Sequence, residues 1–345
     1  MKITLRLALV CSAVLLVVTA AAQDQKFASL GDFKLQSGET IKDCRIGYRT
    51  YGTLAVDKSN VVVVPTWASG TSEQLAGNVG RGKLADSTKY YVILVDALAN
   101  GVSSSPSNSV GQPHMKFPRI TIRDMVESQH ELLTKFMGIT HVEAIMGISM
   151  GGMQTFQWVT AYPDFMNKGV PIVGSPRLAP YDVLHWTAQI DAITHNPAWQ
   201  GGEYKDEPAA LADYEFSSLL LTTPEHFNNT TTRQELFEGL EKARAAKSWG
   251  YDANNKIRQA EAMMSLDVTA AFGGKMEEAA KAVKARLLVI VGKQDHVVTP
   301  GPAMEFAKLT GAKLLVLEGD CGHLSNSCES EKMVKAVSGF LQSKP

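Results

Sequence analysis

Residues 142–162 read VEAIMGISMGGMQTFQWVTAY and carry the pattern that decides the fold. VEAIM predicts a buried strand, and MQTFQWVTAY, which stops before Pro163, predicts a helix. Between them lies the G-x-S-x-G sequence Gly147–Gly151, whose glycines let a strand and a helix approach closely around a sharp turn. The hydroxyl of Ser149 would stand exposed on that turn. Ser149 is therefore a candidate nucleophile, and a structural turn serine is the alternative.

Short apolar runs rich in β-branched residues recur on both sides of this motif. They occupy residues 60–65, 90–95, 142–146, 286–291 and 313–317, and Ser149 follows about the third of them. Residues 120–136 between two of these runs have apolar side chains at helical spacing, which indicates a crossover helix. The alternation predicts an α/β protein with a mostly parallel central sheet and flanking helices.

Residues 176–285 have a different character, because they contain helix-compatible stretches such as 234–246 and 255–264 but no strand run. We interpret them as a helical cap inserted into one catalytic domain formed by residues 23–175 and 286–345. An insertion at the carboxyl edge of a parallel sheet would lie over the place where such folds bind ligands.

A serine needs a base to remove its proton, and in hydrolases with this motif an acid and then a histidine follow in the chain. Asp295 closes the strand run LLVIVGKQD, and His323 lies on a polar loop after the last run. We predict that His323 is the general base and that Asp295 orients it. Asp320 and Asp267 are alternative acids in poorer positions. The order and placement predict an α/β-hydrolase fold with a helical cap insertion.

The tetrahedral intermediate of acyl transfer needs two backbone N–H donors. One normally belongs to the residue after the nucleophile, here Met150, and the other to a loop after an early strand. In PTWASGTS (65–72) we expect Trp67 to supply the second donor. Thr66 and Ala68 are alternatives, and Trp67 could instead serve as an aromatic wall of the pocket.

The first 22 residues, MKITLRLALVCSAVLLVVTAAA, have the layout of a secretory signal. Lys2 and Arg6 precede an apolar run of about 16 residues, short for a membrane span, which ends in small alanines. We expect cleavage before Gln23 and export to the periplasm or the extracellular space, with no membrane attachment afterwards. A membrane anchor is the alternative.

Charge and histidine spacing exclude several classes of function. The formal charge of −1 becomes −3 once Lys2 and Arg6 are removed, which offers no footprint for nucleic acid. The remaining histidines show no metal-binding spacing such as H-E-x-x-H. We therefore expect no metal and no cofactor.

Three cysteines would remain after cleavage of the signal. Cys321 and Cys328 are close enough in sequence to bridge the loop that carries His323, which would leave Cys44 as a buried thiol. Spacing does not decide the connectivity, so pairings that involve Cys44 stay open.

Several longer segments resemble the homoserine O-acetyltransferase family of α/β hydrolases. They are NGVSSSPSN (100–108), FPRITIRDMVESQHELL (117–133), GISMGGMQTFQW (147–158), SPRL (175–178), AITHNPAWQGGEY (192–204) and YDAN (251–254), within a resemblance that spans about residues 32–341. The resemblance implies a ping-pong mechanism, in which an acyl group passes from acetyl-coenzyme A to the serine and then to the hydroxyl of homoserine. It also implies a homodimer as the assembly to test.

Two departures from the family pattern point away from homoserine. Leu324 follows the histidine where the family has an acidic residue, and Ile190 stands where an arginine is common. Arg177 survives, either to contact an anionic group or to form a cap-to-core salt bridge. Export of the enzyme also argues against acetyl-coenzyme A as the acyl donor, since this donor is intracellular. We therefore favour an exported hydrolase that transfers the acyl group of a carboxylic ester or a similar small-molecule acyl donor to water. The alternatives are an O-acyltransferase with an alcohol acceptor and a binding protein without chemistry.

Overall fold

The computed structural model describes residues 24–248 and 250–343. The predicted signal peptide, residues 1–22, lies outside the described residues and stays a prediction. Within the described ranges, no helix combines the length and the apolar character that crossing a bilayer requires.

An eight-stranded sheet forms the centre of the protein, in the order β1-β2-β4-β3-β5-β6-β7-β8. The pairs β1–β2 and β2–β4 are antiparallel. The other five pairs of neighbouring strands are parallel. This confirms the predicted mostly parallel sheet. The strands are β1 (Lys26–Lys34), β2 (Thr40–Tyr51), β3 (Val61–Pro65), β4 (Tyr91–Val95), β5 (Val142–Ile148), β6 (Met166–Ile172), β7 (Arg286–Gly292) and β8 (Lys313–Leu317).

Helices follow most of the strands and fill the long segment between β6 and β7. The α-helices are α1 (Ser72–Leu75), α2 (Ile122–Glu131), α3 (Met150–Ala161), α4 (Pro180–Thr194), α5 (Ala210–Leu220), α6 (Pro224–Thr230), α7 (Arg233–Ala245), α8 (Ala253–Met264), α9 (Met276–Ala282), α10 (Gly301–Thr310), α11 (Ser325–Cys328) and α12 (Ser330–Gln342). Short 3₁₀ turns and a π-helical turn at Leu132–Phe136 complete the pattern.

The central strands are apolar on both faces because helices cover both sides of the sheet. In β3, Val61 and Val63 belong to one core, and Val62 and Val64 belong to the other. This is the alternation that a pleated strand imposes. The first core also receives apolar side chains from α2, α3, α9 and α10, and the second receives them from α1 and α12.

The segment between β6 and β7 divides into two parts by its packing. Its first part has a small core of its own, made of Ile193, Ala209, Ala212, Ala253 and Ile257. Residues 262–268 and α9 instead pack into the core under the sheet. The segment is helical as expected, but the predicted cap limits at 176 and 285 stay a prediction.

Candidate active site

Ser149 stands on the turn between β5 and α3, with a backbone φ of 57° that is strained for a residue with a side chain. Its N–H donates to Ile172 O at 2.9 Å, which ties the turn to β6. A Cβ on Gly147 would lie 2.4 Å from the Gly151 carbonyl, and one on Gly151 would lie 2.6 Å from Pro65 O. Only glycine fits at these two positions, and the turn is held with the serine at the carboxyl edge of the sheet.

The structure brings together Ser149, His323 and Asp295, the three residues that the sequence predicts to act as a triad. His323 Nε2 lies 2.9 Å from Ser149 Oγ, and His323 Nδ1 lies 2.7 Å from Asp295 Oδ2. Both His323 and Asp295 are buried. With its Nδ1 proton donated to Asp295, the imidazole presents an unprotonated Nε2 that can accept the serine proton. Chemically, the arrangement can activate a hydroxyl for attack on a carbonyl carbon.

Both oxygens of Asp295 have partners, which fixes the direction of its carboxylate. Oδ2 faces His323, while Oδ1 accepts the backbone N–H groups of Val297 at 2.8 Å and Val298 at 2.9 Å. The alternative acids lie elsewhere, since Asp320 contacts His226 and Asp267 binds Thr269. The geometry therefore selects Asp295 as the partner of His323.

Helix α4 holds the loop that follows Asp295 through two buried polar side chains. His185 Nε2 donates to Val297 O at 2.9 Å, and Asp182 accepts from both the N–H and the hydroxyl of Thr299 at 3.1 Å. Burial lowers the pKa of His185 and raises the pKa of Asp182. A neutral His185 keeps the proton that it donates to Val297.

The segment after α5 clamps the loop that carries His323. Asp320 O accepts the N–H of Thr223 at 3.3 Å and its hydroxyl at 2.7 Å, and Leu324 N–H donates to Leu221 O at 3.2 Å. His226 lies 3.1 Å from the Asp320 carboxylate. The loop that carries the candidate base is thus bonded on both sides of His323 to the segment between β6 and β7.

The two predicted oxyanion donors both have free N–H groups. Within the described residues, the backbone N–H groups of Met150 and Trp67 donate to no protein acceptor. Thr66 is removed as an alternative, because its N–H donates to Val95 O at 3.1 Å. Ala68 stays an alternative to Trp67, and the donor roles of Met150 and Trp67 stay a prediction. The indole of Trp67 also lines the cavity described next.

Ser149 and His323 open into a cavity of about 1080 Å³. The segment between β6 and β7 contributes both polar and apolar side chains to its wall, and the apolar ones include Trp186, Phe216, Leu220 and Met263. Such a volume and lining are typical of a small-molecule site. The candidate nucleophile Ser149 therefore lies at the wall of a pocket that can surround a small molecule.

Comparison with known proteins agrees with this geometry. The family model for the α/β-hydrolase fold matches residues 60–327. The chain belongs to the α/β-hydrolase family. An ethyl acetate hydrolase from Pseudomonas veronii is 32% identical over 91% of this chain and 93% of its own length. A homoserine O-acetyltransferase from Pelobacter propionicus is 30% identical over 92% and 96%.

Among solved structures, this α/β hydrolase resembles a monoclinic structure of the acetyl esterase MekB, with a TM-score of 0.86 and 29% identity. The match covers 93% of this chain and 98% of that one. The predicted resemblance to homoserine O-acetyltransferases is thus confirmed, and esterases are comparably similar. The protein is an enzyme of the hydrolase and acyltransferase class.

The α/β hydrolase carries a disulfide between Cys321 and Cys328, on either side of His323. Cys44 is a buried free thiol, and burial raises its pKa to about 12. The sulfurs of Cys321 and Cys328 lie within 4.8 Å of a ring nitrogen of His226, but disulfide sulfurs are not the thiolates that bind metals. The bond instead closes a short loop around the candidate base.

Replacing both Cys321 and Cys328 with serine is expected to lower the free energy of unfolding by about 2 kcal/mol, because the unfolded chain regains the freedom of that loop. Thermal unfolding followed by circular dichroism measures the effect as a lower Tm. Cys44→Ala, which leaves the disulfide intact, is the comparison. An unchanged Tm in the double variant would mean that other contacts hold the loop.

Arg177 of this α/β hydrolase does not appear among the described residues that line the cavity. Its guanidinium lies 3.9 Å from the Asp267 carboxylate, and the two residues also form a backbone bridge. The pair connects two parts of the predicted insertion. A role for Arg177 in substrate binding stays a prediction.

Several side chains around the site were not found from the sequence. Gln259 accepts from Ser69 N–H at 2.6 Å and donates to Leu98 O at 3.0 Å, so it fixes the loop after β3. Lys256 lines the cavity from the same helix, and His185 supports the Asp295 loop from α4. All three lie in segments with no motif, and only the tertiary packing shows where they point.

Proposed function

We propose that this α/β hydrolase cleaves carboxylic esters through an acyl-enzyme on Ser149. The observation that carries the proposal is the position of His323, which bridges Ser149 Oγ at 2.9 Å and Asp295 Oδ2 at 2.7 Å at the wall of the cavity. Similarity to an ethyl acetate hydrolase and to an acetyl esterase supports a short acyl group. We infer an acetyl or similarly small ester as the substrate.

In the first half of the reaction, Ser149 Oγ attacks the ester carbonyl carbon while His323 Nε2 takes the hydroxyl proton. The oxyanion that forms is held by the backbone N–H groups of Met150 and Trp67. Collapse of the tetrahedral intermediate breaks the bond to the alcohol, which leaves with the proton from His323. Asp295 stabilises the imidazolium that exists between these two proton transfers.

In the second half, His323 takes a proton from water, and the hydroxide attacks the acyl-enzyme carbonyl. The carboxylic acid is released when the bond to Ser149 Oγ breaks and the proton returns to the serine. No second substrate with an amino group is needed. This agrees with Leu324, an apolar side chain in the cavity wall at the position where the acetyltransferase pattern has an acid.

Acyl transfer to an alcohol is the second candidate, supported by the similarity to homoserine O-acetyltransferases. Two assays separate it from hydrolysis. We expect acid release from ethyl acetate and p-nitrophenyl acetate without any acceptor. We also expect no thiol release from acetyl-coenzyme A that depends on L-homoserine, with Ser149→Ala as the blank. Homoserine-dependent thiol release that disappears in the blank would overturn the hydrolase proposal in favour of the transferase.

We further propose that the enzyme acts outside the cytoplasm. The layout of residues 1–22 supports this, as does the disulfide, since such bonds persist in oxidising compartments. Fractionation of cells that make the full chain tests it. A processed protein that starts at Gln23 in the periplasm or medium is expected, and an unprocessed protein in the cytoplasm would contradict it.

A further inference from the structure

Helix α8 presents Lys256, Gln259 and Met263 to the cavity, three residues at spacings that place them on one face of the helix. Gln259 is bonded to Ser69 and Leu98, so this face is docked against the loop after β3. The rise of an α-helix places Lys256 roughly 4.5 Å along the axis from that anchor. Lys256 is therefore part of the wall of the cavity into which Ser149 and His323 open.

The ammonium of Lys256 has one donor more than its protein partners use. Nζ donates to Asp213 Oδ1 and to the Tyr251 hydroxyl, the latter at 3.0 Å. An ammonium carries three N–H groups, and among the described residues no third oxygen or nitrogen acceptor lies within hydrogen-bond distance of Nζ, whose one further contact there is the Tyr251 ring at 4.8 Å. The side chain is only 9% exposed, so bulk solvent does not surround the group. A buried donor on a cavity wall is a ready partner for a ligand oxygen.

The surroundings of Lys256 select an uncharged oxygen over a carboxylate. Asp213 neutralises the ammonium directly, and the nearby Glu207 adds a further acidic group, whose pKa burial raises to about 7. A second anion would be repelled by Asp213 and would lose its own hydration against the apolar wall formed by Phe216 and Leu220. An ether, carbonyl or hydroxyl oxygen can accept the free N–H without that cost.

We propose that Lys256 is a specificity-determining residue that donates a hydrogen bond to an uncharged oxygen in the non-reacting part of the ester. The proposal rests on the proposed ester hydrolysis and names its substrate class, which is small esters that carry a second, neutral oxygen function. Plain alkyl esters leave the N–H without a partner and bind less well in the transition state.

Two matched pairs of esters test the proposal with the full chain. 2-Methoxyethyl acetate and butyl acetate differ by one oxygen in place of a methylene on the alcohol side, and methyl 3-methoxypropanoate and methyl pentanoate differ in the same way on the acyl side. The ratio of kcat/KM for the ether over the alkyl ester, divided by the same ratio for alkaline hydrolysis, is expected to exceed one in at least one pair. In Lys256→Met that ratio is expected to fall about 10-fold.

Lys335→Met is the matched control, because Lys335 lines the same cavity but is exposed on α12. It should leave both ratios unchanged. Lys256→Met leaves the Asp213 carboxylate without its ion pair to Lys256, so the double variant Lys256→Met with Asp213→Asn provides a version without that charge. Either variant that keeps the wild-type secondary structure by circular dichroism is informative.

A wild-type ratio of one in both pairs, or ratios that Lys256→Met does not change, would overturn the proposal. Cleavage of none of the four esters would instead contradict the proposed function, and the Lys256 proposal would fall with it. The two failures are therefore distinguishable, since in the first case all four esters are cleaved.

Discussion

Replacing Ser149 with alanine is expected to lower kcat for ester hydrolysis by about 10⁶-fold, because the variant has no nucleophile to form the acyl-enzyme. Oγ lies 2.9 Å from His323 Nε2, so the hydroxyl is already placed for proton transfer. Initial rates with p-nitrophenyl acetate measure the loss. Labelling by a fluorophosphonate, which reacts with activated serines, should disappear in the same variant.

Ser217→Ala is the matched control for this experiment, since Ser217 lies on α5 and lines the same cavity. It should retain both the rate and the labelling within a few-fold. If Ser149→Ala kept more than about one per cent of the rate, another nucleophile would have to carry the reaction.

Asp295→Asn is expected to lower kcat by about 10⁴-fold, by forcing His323 into the wrong tautomer. The N–H groups of Val297 and Val298 both point at Oδ1, so the amide oxygen of asparagine must take that position. Its NH₂ then faces His323 Nδ1, which has to accept instead of donate. The proton moves to Nε2, where it blocks the transfer from Ser149.

The pH dependence of kcat and the matched variant Asp320→Asn check this account. Asp320 lies three residues before His323 and contacts His226, and its variant should lose less than about 10-fold because it leaves the tautomer alone. If Asp320→Asn caused the larger loss, the acid would be misassigned.

Most of the parallel strands could be predicted because both of their faces are buried. In β3, β5 and β7 this burial produces continuous apolar runs, and the runs stand out from the flanking helices. The Ser149 turn was predictable for a related reason, since close packing of a strand and a helix demands glycines at fixed positions.

Three strands, β1, β2 and β6, had no such signal. In β2 the sequence TIKDCRIGYRTY mixes polar and apolar residues, because antiparallel strands near the edge are covered less completely. In β6 the sequence MNKGVPI contains Gly169, Pro171 and a buried lysine. That lysine, Lys168, pairs with Glu143 on β5, a compensation that only the sheet reveals. Because β1 and β2 were not predicted, Ser149 follows the fifth strand of the chain and not about the third.

Around the site, the sequence predicted the residues whose order along the chain is typical of the fold. It did not predict the residues that hydrogen-bond to their loops or line the cavity. Asp295 and His323 follow strands, so their arrival at one edge of the sheet could be expected. Thr223, His185 and Lys256 lie on helices or turns of the insertion, where contact depends on how the insertion packs. The disulfide likewise could not be chosen over pairings with Cys44 by spacing alone.

The hydrogen bond between Thr223 N–H and Asp320 O makes the exchange of one amide proton depend on whether the loop that carries His323 stays in place. The Thr223 N–H donates to Asp320 O across the boundary between the insertion and that loop. Deuterium can replace this proton only in molecules in which the two segments have parted. Its exchange rate therefore reports how often His323 loses its support, a quantity that steady-state turnover does not resolve.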